Sequence, residues 1–222
     1  PDNKKNLRLR NFLKKKKYPF FSGSENNVLD RFYKASKKYK ADIIIRITAD
    51  CPLVDYRLMD KMLEKFINNS RTNYLSNTDP RSFPDGLDIE IFTSKAMEQA
   101  SNFAKKKYDL EHVTPYIRNN FKRSNYINKK NLSKLRWTLD TNKDYVMLRK
   151  MFLENKIKPS TSWNEIYRKL KNWKLTKDTK FGKNLLILLR EERCFIAKIL
   201  IGFYQNFGQH IIQRQKDVIS GI

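Results

Sequence analysis

Cysteine is almost missing from this sequence, with two among 222 residues, Cys51 and Cys194. That excludes a disulfide framework and a cysteine-built zinc cluster, and it fits a reducing, cytoplasmic setting. Glycine is equally thin, at six residues. Long apolar runs are missing too. Residues 185–189 and 194–203 are apolar, but Arg190-Glu191-Glu192-Arg193 and Lys198 interrupt them. Neither reaches the roughly 20 residues that span a bilayer. Acidic residues are in deficit, 23 against 47 Lys and Arg, for a formal charge of +24. Such an excess raises an anionic partner: nucleic acid, a membrane surface or a phosphorylated substrate. Here it is spread in short runs between apolar segments, alongside abundant Asn and Ile. That pattern reads as a solvated lysine-rich surface from A+T-rich coding rather than as a binding patch.

The most informative stretch is Ile43-Ile44-Ile45-Arg46-Ile47-Thr48-Ala49-Asp50-Cys51-Pro52-Leu53. Its short β-branched run predicts a buried strand, and Pro52 forbids ladder pairing just beyond it. Asp50 is thus held at a sharp exit, and the carboxyl ends of strands are where open α/β sheets bind ligands. Leu135-Arg136-Trp137-Thr138-Leu139-Asp140-Thr141 repeats the pattern. Asp50 and Asp140 together suit Mg²⁺, a hard cation commonly held by one or two carboxylates plus phosphates and water. Each Asp equally suits a plain helix cap, and spacing does not choose. Cys51 beside Asp50 has no histidine near it in sequence and reads as a packed thiol. Arg46 inside an apolar strand needs a partner, either a structural acid or a substrate phosphate. His112 is one of two histidines, a candidate for orienting a carboxylate or hydroxyl, although a lone histidine is more often structural.

Around these sites the chain alternates. A basic helix is predicted over 7–17 and a short strand over 18–21. Ser22 and Glu25 stand at capping-box spacing before a helix whose apolar face is Val28, Leu29, Phe32 and Tyr33. A second amphipathic helix starts near Asp55. Strands are predicted at 74–77 and 87–92, the latter carrying Asp88 and Glu90 toward solvent or a pocket, opposite Ile89 and Ile91. Helices follow at 94–104, around 111–119 with Pro115 weakening it, after the Thr141/Asp144 capping pair, and at 163–173. The pattern predicts an α/β domain with a mostly parallel sheet between helices over residues 1–173, and an extension of unassigned role over 174–222.

Five segments, Ser22-Gly23-Ser24-Glu25-Asn26-Asn27-Val28-Leu29-Asp30-Arg31-Phe32, Ile47-Thr48-Ala49-Asp50-Cys51-Pro52-Leu53, Phe83-Pro84-Asp85-Gly86-Leu87-Asp88-Ile89-Glu90, Glu111-His112-Val113-Thr114-Pro115-Tyr116-Ile117 and Arg136-Trp137-Thr138-Leu139-Asp140-Thr141, resemble in that order the spore coat polysaccharide biosynthesis protein F family. That family is similar to the CMP-Kdo and CMP-sialic acid synthetases. The resemblance implies a three-layer nucleotide-diphospho-sugar transferase fold and a Mg²⁺-dependent cytidylyltransferase, with CTP and a sugar as its partners and a homodimer left open. It places Asp50 and Asp140 on the metal-binding, catalytic acids. Ser22 and Gly23 would line the nucleotide side, and Asp85, Gly86, Asp88 and Glu90 the sugar side; Arg46 and His112, singled out from the residues themselves, complete the candidate substrate contacts. Asn27 stands where the family leads one to expect an acid. The amino-terminal strand and Gly-containing basic loop of the family have no counterpart, since residues 7–17 contain no glycine. The expectation is a chain lacking its first βαβ unit, and an incomplete enzyme. Two other functions fit less well. A glycosyltransferase of the same general fold would need an Asp-x-Asp metal motif at a strand end, and a nucleic-acid-binding module would need clustered charge with exposed aromatics.

Overall fold

The structure, a computed structural model, describes residues 1–158 and 160–171; the extension expected over 174–222, and Trp173, lie outside them. The chain divides into two compact units. One comprises Pro1–Arg46, Met62–Pro80 and Ile89–Ile127, the other Ile47–Lys61, Arg81–Asp88 and the described residues from Asn128 on.

The first unit holds the sheet. Strands β1 (Ile43–Arg46), β2 (Tyr74–Ser76), β3 (Glu90–Thr93) and β4 (Arg123–Asn125) lie in the order β1-β3-β2-β4. β1, β2 and β4 share a direction and β3 runs against them. The reversal has a local cause. Parallel neighbours need a long crossover, usually a helix, whereas the link from β2 to β3 is a run of turns through Pro80, Pro84 and Gly86, which returns the chain antiparallel.

Helices α1 (Leu7–Lys15), α2 (Val28–Lys38), α4 (Ser94–Phe103), α5 (Lys107–His112) and α6 (Pro115–Asn120) belong to the same unit. α2 packs on α4 and α5, and α4 packs on α6 and β3. Leu29, Ile44, Tyr74, Phe92, Met97 and Ile117 form their shared core. Leu75 and Ile91, paired across the ladder, are just as buried. Pro115 does not interrupt a helix. It starts one, at the first turn where its missing N–H costs nothing, after Val113 takes φ 71°.

Helix α3 (Tyr56–Ile67) starts in the second unit and ends in the first, and α7 (Asn142–Glu154) and α8 (Trp163–Leu170) lie wholly in the second. Thr141 and Asp144 form the anticipated capping box on α7. Asp55 is buried, and its carboxylate accepts the backbone N–H of Arg57 and that of Trp163, so one side chain serves the starts of α3 and α8.

Three local expectations are corrected. Residues 18–21 form no strand; Pro19 has no N–H to give a ladder. The cap of α2 is Asn27, whose side chain accepts from Asp30 N–H at 2.9 Å, rather than Ser22. Residues 135–139 form no strand, only a single parallel bridge between Asp85 and Arg136.

Candidate functional site

In the second unit, backbone hydrogen bonds gather the expected acids. Leu139 N–H donates to the Asp50 carbonyl at 2.8 Å, so Asp50 lies against the residue that precedes Asp140. Asp85 is clasped twice, donating to Leu135 O at 2.8 Å and accepting from Trp137 N–H at 2.6 Å. The turn at residues 83–88 and the segment at 135–141 are therefore one construction. Gly86 makes it possible. Its φ is +104°, and a Cβ there would stand 2.6 Å from the Trp137 carbonyl carbon. Its requirement is close backbone approach.

The side chains form an alternating ionic chain. Arg81 grips Asp88 with both terminal nitrogens, at 2.5 and 2.7 Å, and reaches Asp85 at 3.2 Å. Arg136 joins Asp85 at 3.1 Å to Asp144 at 3.3 Å and to Asp140. Arg136 beside Asp144, with backbone N–H groups from Thr141 and Asp140, holds the Asp144 carboxyl well below the usual carboxylate range. The Arg81 guanidinium is pushed up by its hydrogen bond to Asp88.

Asp50 is different. Among the described residues no lysine or arginine pairs with its carboxylate; the neighbouring Cys51 thiol lies 3.8 Å away. Cys51 is buried, and burial pushes its thiol up to about 12, so it is no nucleophile at neutral pH.

In the first unit, Arg46 and Glu90 sit opposite each other in the β1–β3 register, and Ser76 faces Glu90 from β2. Glu90 does not line an exposed face as the alternation suggested. It is 9% exposed; its Oε2 takes Arg46 Nη1, and its Oε1 takes the hydroxyls of Tyr74 at 2.6 Å and Thr114 at 2.7 Å. Ile89, Ile91 and Phe92 are also buried, so the strand is enclosed on both faces rather than alternating. Burial and the Glu90 charge hold the Tyr74 phenol far above its usual range, which keeps it a donor.

Ser22 and Gly23 are half-buried, and the Gly23 carbonyl accepts Asp2 N–H at 3.0 Å. His112 is exposed, its ring 4.4 Å from that of Tyr108. Asp50, Asp85, Gly86, Asp88 and Asp140 thus share one unit, while Ser22, Gly23, Arg46, Glu90 and His112 share the other.

Sequence reasoning missed Arg81, Tyr74 and Thr114 and the ionic role of Arg136. An arginine seven residues before Asp88, inside an acid-rich turn, was a usable signal for the first. Nothing local marks a buried tyrosine hydroxyl as a carboxylate donor.

Comparison with known proteins identifies the family and the fold. A family model described as cytidylyltransferase matches residues 8–181. An uncharacterised protein of Methanocaldococcus jannaschii is 42% identical over 142 residues, covering 60% of this chain and 54% of the relative. The spore coat polysaccharide biosynthesis protein SpsF of Bacillus subtilis is 31% identical over 159 residues, covering 68% of this chain and 64% of the relative. The chain therefore spans about half to two thirds of the curated relatives it matches. The solved structure of a cytidylyltransferase from Leptospira borgpetersenii serovar Hardjo-bovis superposes with TM-score 0.73 at 32% identity, over 79% of this chain and 78% of that one. The α/β fold, with its mixed sheet, is thus nucleotide-diphospho-sugar transferase-like. With the family model matching well over half of its residues, the chain belongs to the cytidylyltransferase family.

Proposed function

We propose that the chain contributes the acid-bearing part of an enzyme that transfers CMP from CTP to a sugar destined for a surface polysaccharide. In that reaction a sugar hydroxyl oxygen forms a bond to the α-phosphorus, the bond from that phosphorus to the bridging oxygen breaks, and pyrophosphate leaves. The hydroxyl proton passes to solvent or a nearby base. Transfers of this kind depend on positioning and electrostatics more than on covalent help from the protein.

The observation that carries the reading is the state of Asp50. In a chain of formal charge +24 its carboxylate has no cationic partner among the described residues, while the Leu139 bond sets it beside the segment bearing Asp140. Asp50 and Asp140 would hold Mg²⁺. Among the described residues no group of three His, Cys, Asp or Glu is arranged to hold a metal. Two hard carboxylates completed by phosphate oxygens and water nevertheless fit this ion's habit. When bound, Mg²⁺ neutralises charge on the triphosphate. Asp140 is shared with Arg136, so it offers the ion its remaining lone pairs. The polysaccharide destination is supported by the relative from Bacillus subtilis.

The test is pyrophosphate release with CTP, Mg²⁺ and a panel of sugars. Asp50→Asn keeps volume and removes charge, so turnover should fall on the order of 100-fold or more with unchanged melting. The assay uses the complete enzyme that contains this chain: undiminished turnover would refute the role of Asp50, and no CTP-dependent release from its wild type with any sugar would refute the reading itself.

A further inference from the structure

We infer that Glu90 is a positioning residue that keeps Arg46 half open, so that Arg46 offers its free guanidinium N–H groups to an oxyanion of the substrates, either a nucleotide phosphate or a carboxylate on the acceptor sugar. The identity of the anion rests on the nucleotidyl-transfer reading; the geometry does not.

A carboxylate and a guanidinium ordinarily meet as a fork, with two parallel N–H···O bonds. Here only Arg46 Nη1 engages Glu90, through Oε2. Oε1 is already taken by two hydroxyls, Tyr74 at 2.6 Å and Thr114 at 2.7 Å. A carboxylate oxygen has about two lone pairs, so these two donors fill Oε1 and forbid the fork. Glu90 then has little left for a ligand, and at 9% exposure it cannot reach one. Arg46 is in the opposite position. It has five N–H donors, and among the described residues Glu90 is its one partner. Its side chain is 19% exposed, enough for a small anion to meet the unused edge. Leaving those donors dry would be costly. The arrangement comes from all sides of the sheet end: Arg46 on β1, Tyr74 on β2, Glu90 on β3, and Thr114 at the start of α6. Thr114 also lies two residues after His112, so the clamp fixes the segment that carries that candidate contact.

The experiment is calorimetric titration of the full chain with three probes: CTP, inorganic pyrophosphate and glucuronate. Arg46→Gln should weaken binding of one class, the two phosphate probes or the carboxylate probe, at least tenfold and leave the other within twofold. Arg46→Lys, which keeps the charge without the planar fork, should recover only part of it. Thr114→Val and Tyr74→Phe each free a lone pair on Oε1, letting Arg46 close onto Glu90. Each should therefore weaken the same class several-fold and raise KM for the matching substrate with little change in kcat. A merely structural role would not move KM in that selective way. Because the hydroxyl variants leave the ion pair intact, the test does not depend on a Glu90 variant folding. Failure of the wild type to bind any probe, or unchanged affinities in Arg46→Gln, would overturn the inference. So would hydroxyl variants that leave affinity intact while Arg46→Gln lowers it, since Glu90 would then be scaffold alone. Absence of pyrophosphate release from the complete enzyme alongside intact, Arg46-dependent anion binding would sink the nucleotidyl-transfer reading and leave this one standing.

Discussion

Replacing Gly86 by alanine should damage the second unit far more than its one added methyl suggests. Two effects combine. The residue has φ +104°, where an L side chain is strained, at about 1–2 kcal/mol. The new Cβ would also stand 2.6 Å from the Trp137 carbonyl carbon, 2.8 Å from its oxygen and 2.9 Å from Thr138 N. Those atoms are backbone, pinned by the Trp137 N–H bond to Asp85 O, so no side-chain rotation relieves the overlap. Overpacking of this kind costs about 1–3 kcal/mol. The sum, about 2–5 kcal/mol, is a large part of the roughly 5–15 kcal/mol that holds a domain, and corresponds to a melting shift of about 5–20 °C. Gly23→Ala is the internal control, since its Cβ would meet Arg31 Cγ at 3.4 Å and the Phe21 ring at 3.6 Å. Those are side-chain atoms at ordinary contact, and the effect should stay under about 1 kcal/mol. Thermal melting and urea titration of the three proteins side by side decide the matter. Equal stability of Gly86→Ala and Gly23→Ala would refute the claim that the turn is built on backbone contact.

Two further outcomes follow from the ionisable groups. Asp144 holds its proton less tightly folded than unfolded, because Arg136 and the cap N–H groups favour the carboxylate. Its stabilisation is complete above the ordinary carboxyl pKa and lost as pH falls below about 4. Asp144→Asn should therefore melt lower than wild type at pH 7, with the gap beginning to narrow as pH falls below about 4 and still open at about pH 3; a gap independent of pH would refute the assignment. Cys51, with its thiol pushed up to about 12 by burial, should react with iodoacetamide at pH 8 at least about tenfold more slowly in the native chain than in urea. The measurement uses a Cys194→Ser background, and fast native labelling would contradict the burial.

What the sequence disclosed depended on how local the signal was. Helices α2, α3 and α4 were legible because each has an apolar face at helical spacing, and the Thr141/Asp144 cap because both partners lie within three residues. Strand β1 was legible from its β-branched run. β4, Arg123–Asn125, was not, since a three-residue polar strand at a sheet edge carries no periodicity. Residues 87–92 misled for the opposite reason. Alternation normally marks one wet face, yet Glu90 is inside, made tolerable by three donors that come from 16 to 44 positions away. Asp50 and Asp140 were singled out as strand-end acids, although the second follows no strand. What sets Asp50 beside the residue before Asp140 is the backbone bond from Leu139 N–H, and backbone bonds leave no mark on side-chain pattern.

The second unit is also discontinuous in time. Its first two pieces, Ile47–Lys61 and Arg81–Asp88, are made as excursions from the first unit, whose last residue is Ile127. Their fasteners are made later: Arg136 and Trp137 for Asp85, Leu139 for Asp50, and Trp163 for Asp55. At ordinary translation speed Leu139 follows Ile127 by on the order of a second. During that interval the two earlier pieces lack all of these fasteners, and Phe83 also lacks the Trp163 ring that meets it edge-on at 5.3 Å. The acid proposed to meet the metal is thus among the first parts of its unit to be synthesised and waits nearly ninety residues, from Asp50 to Leu139, for the bond that holds it in place.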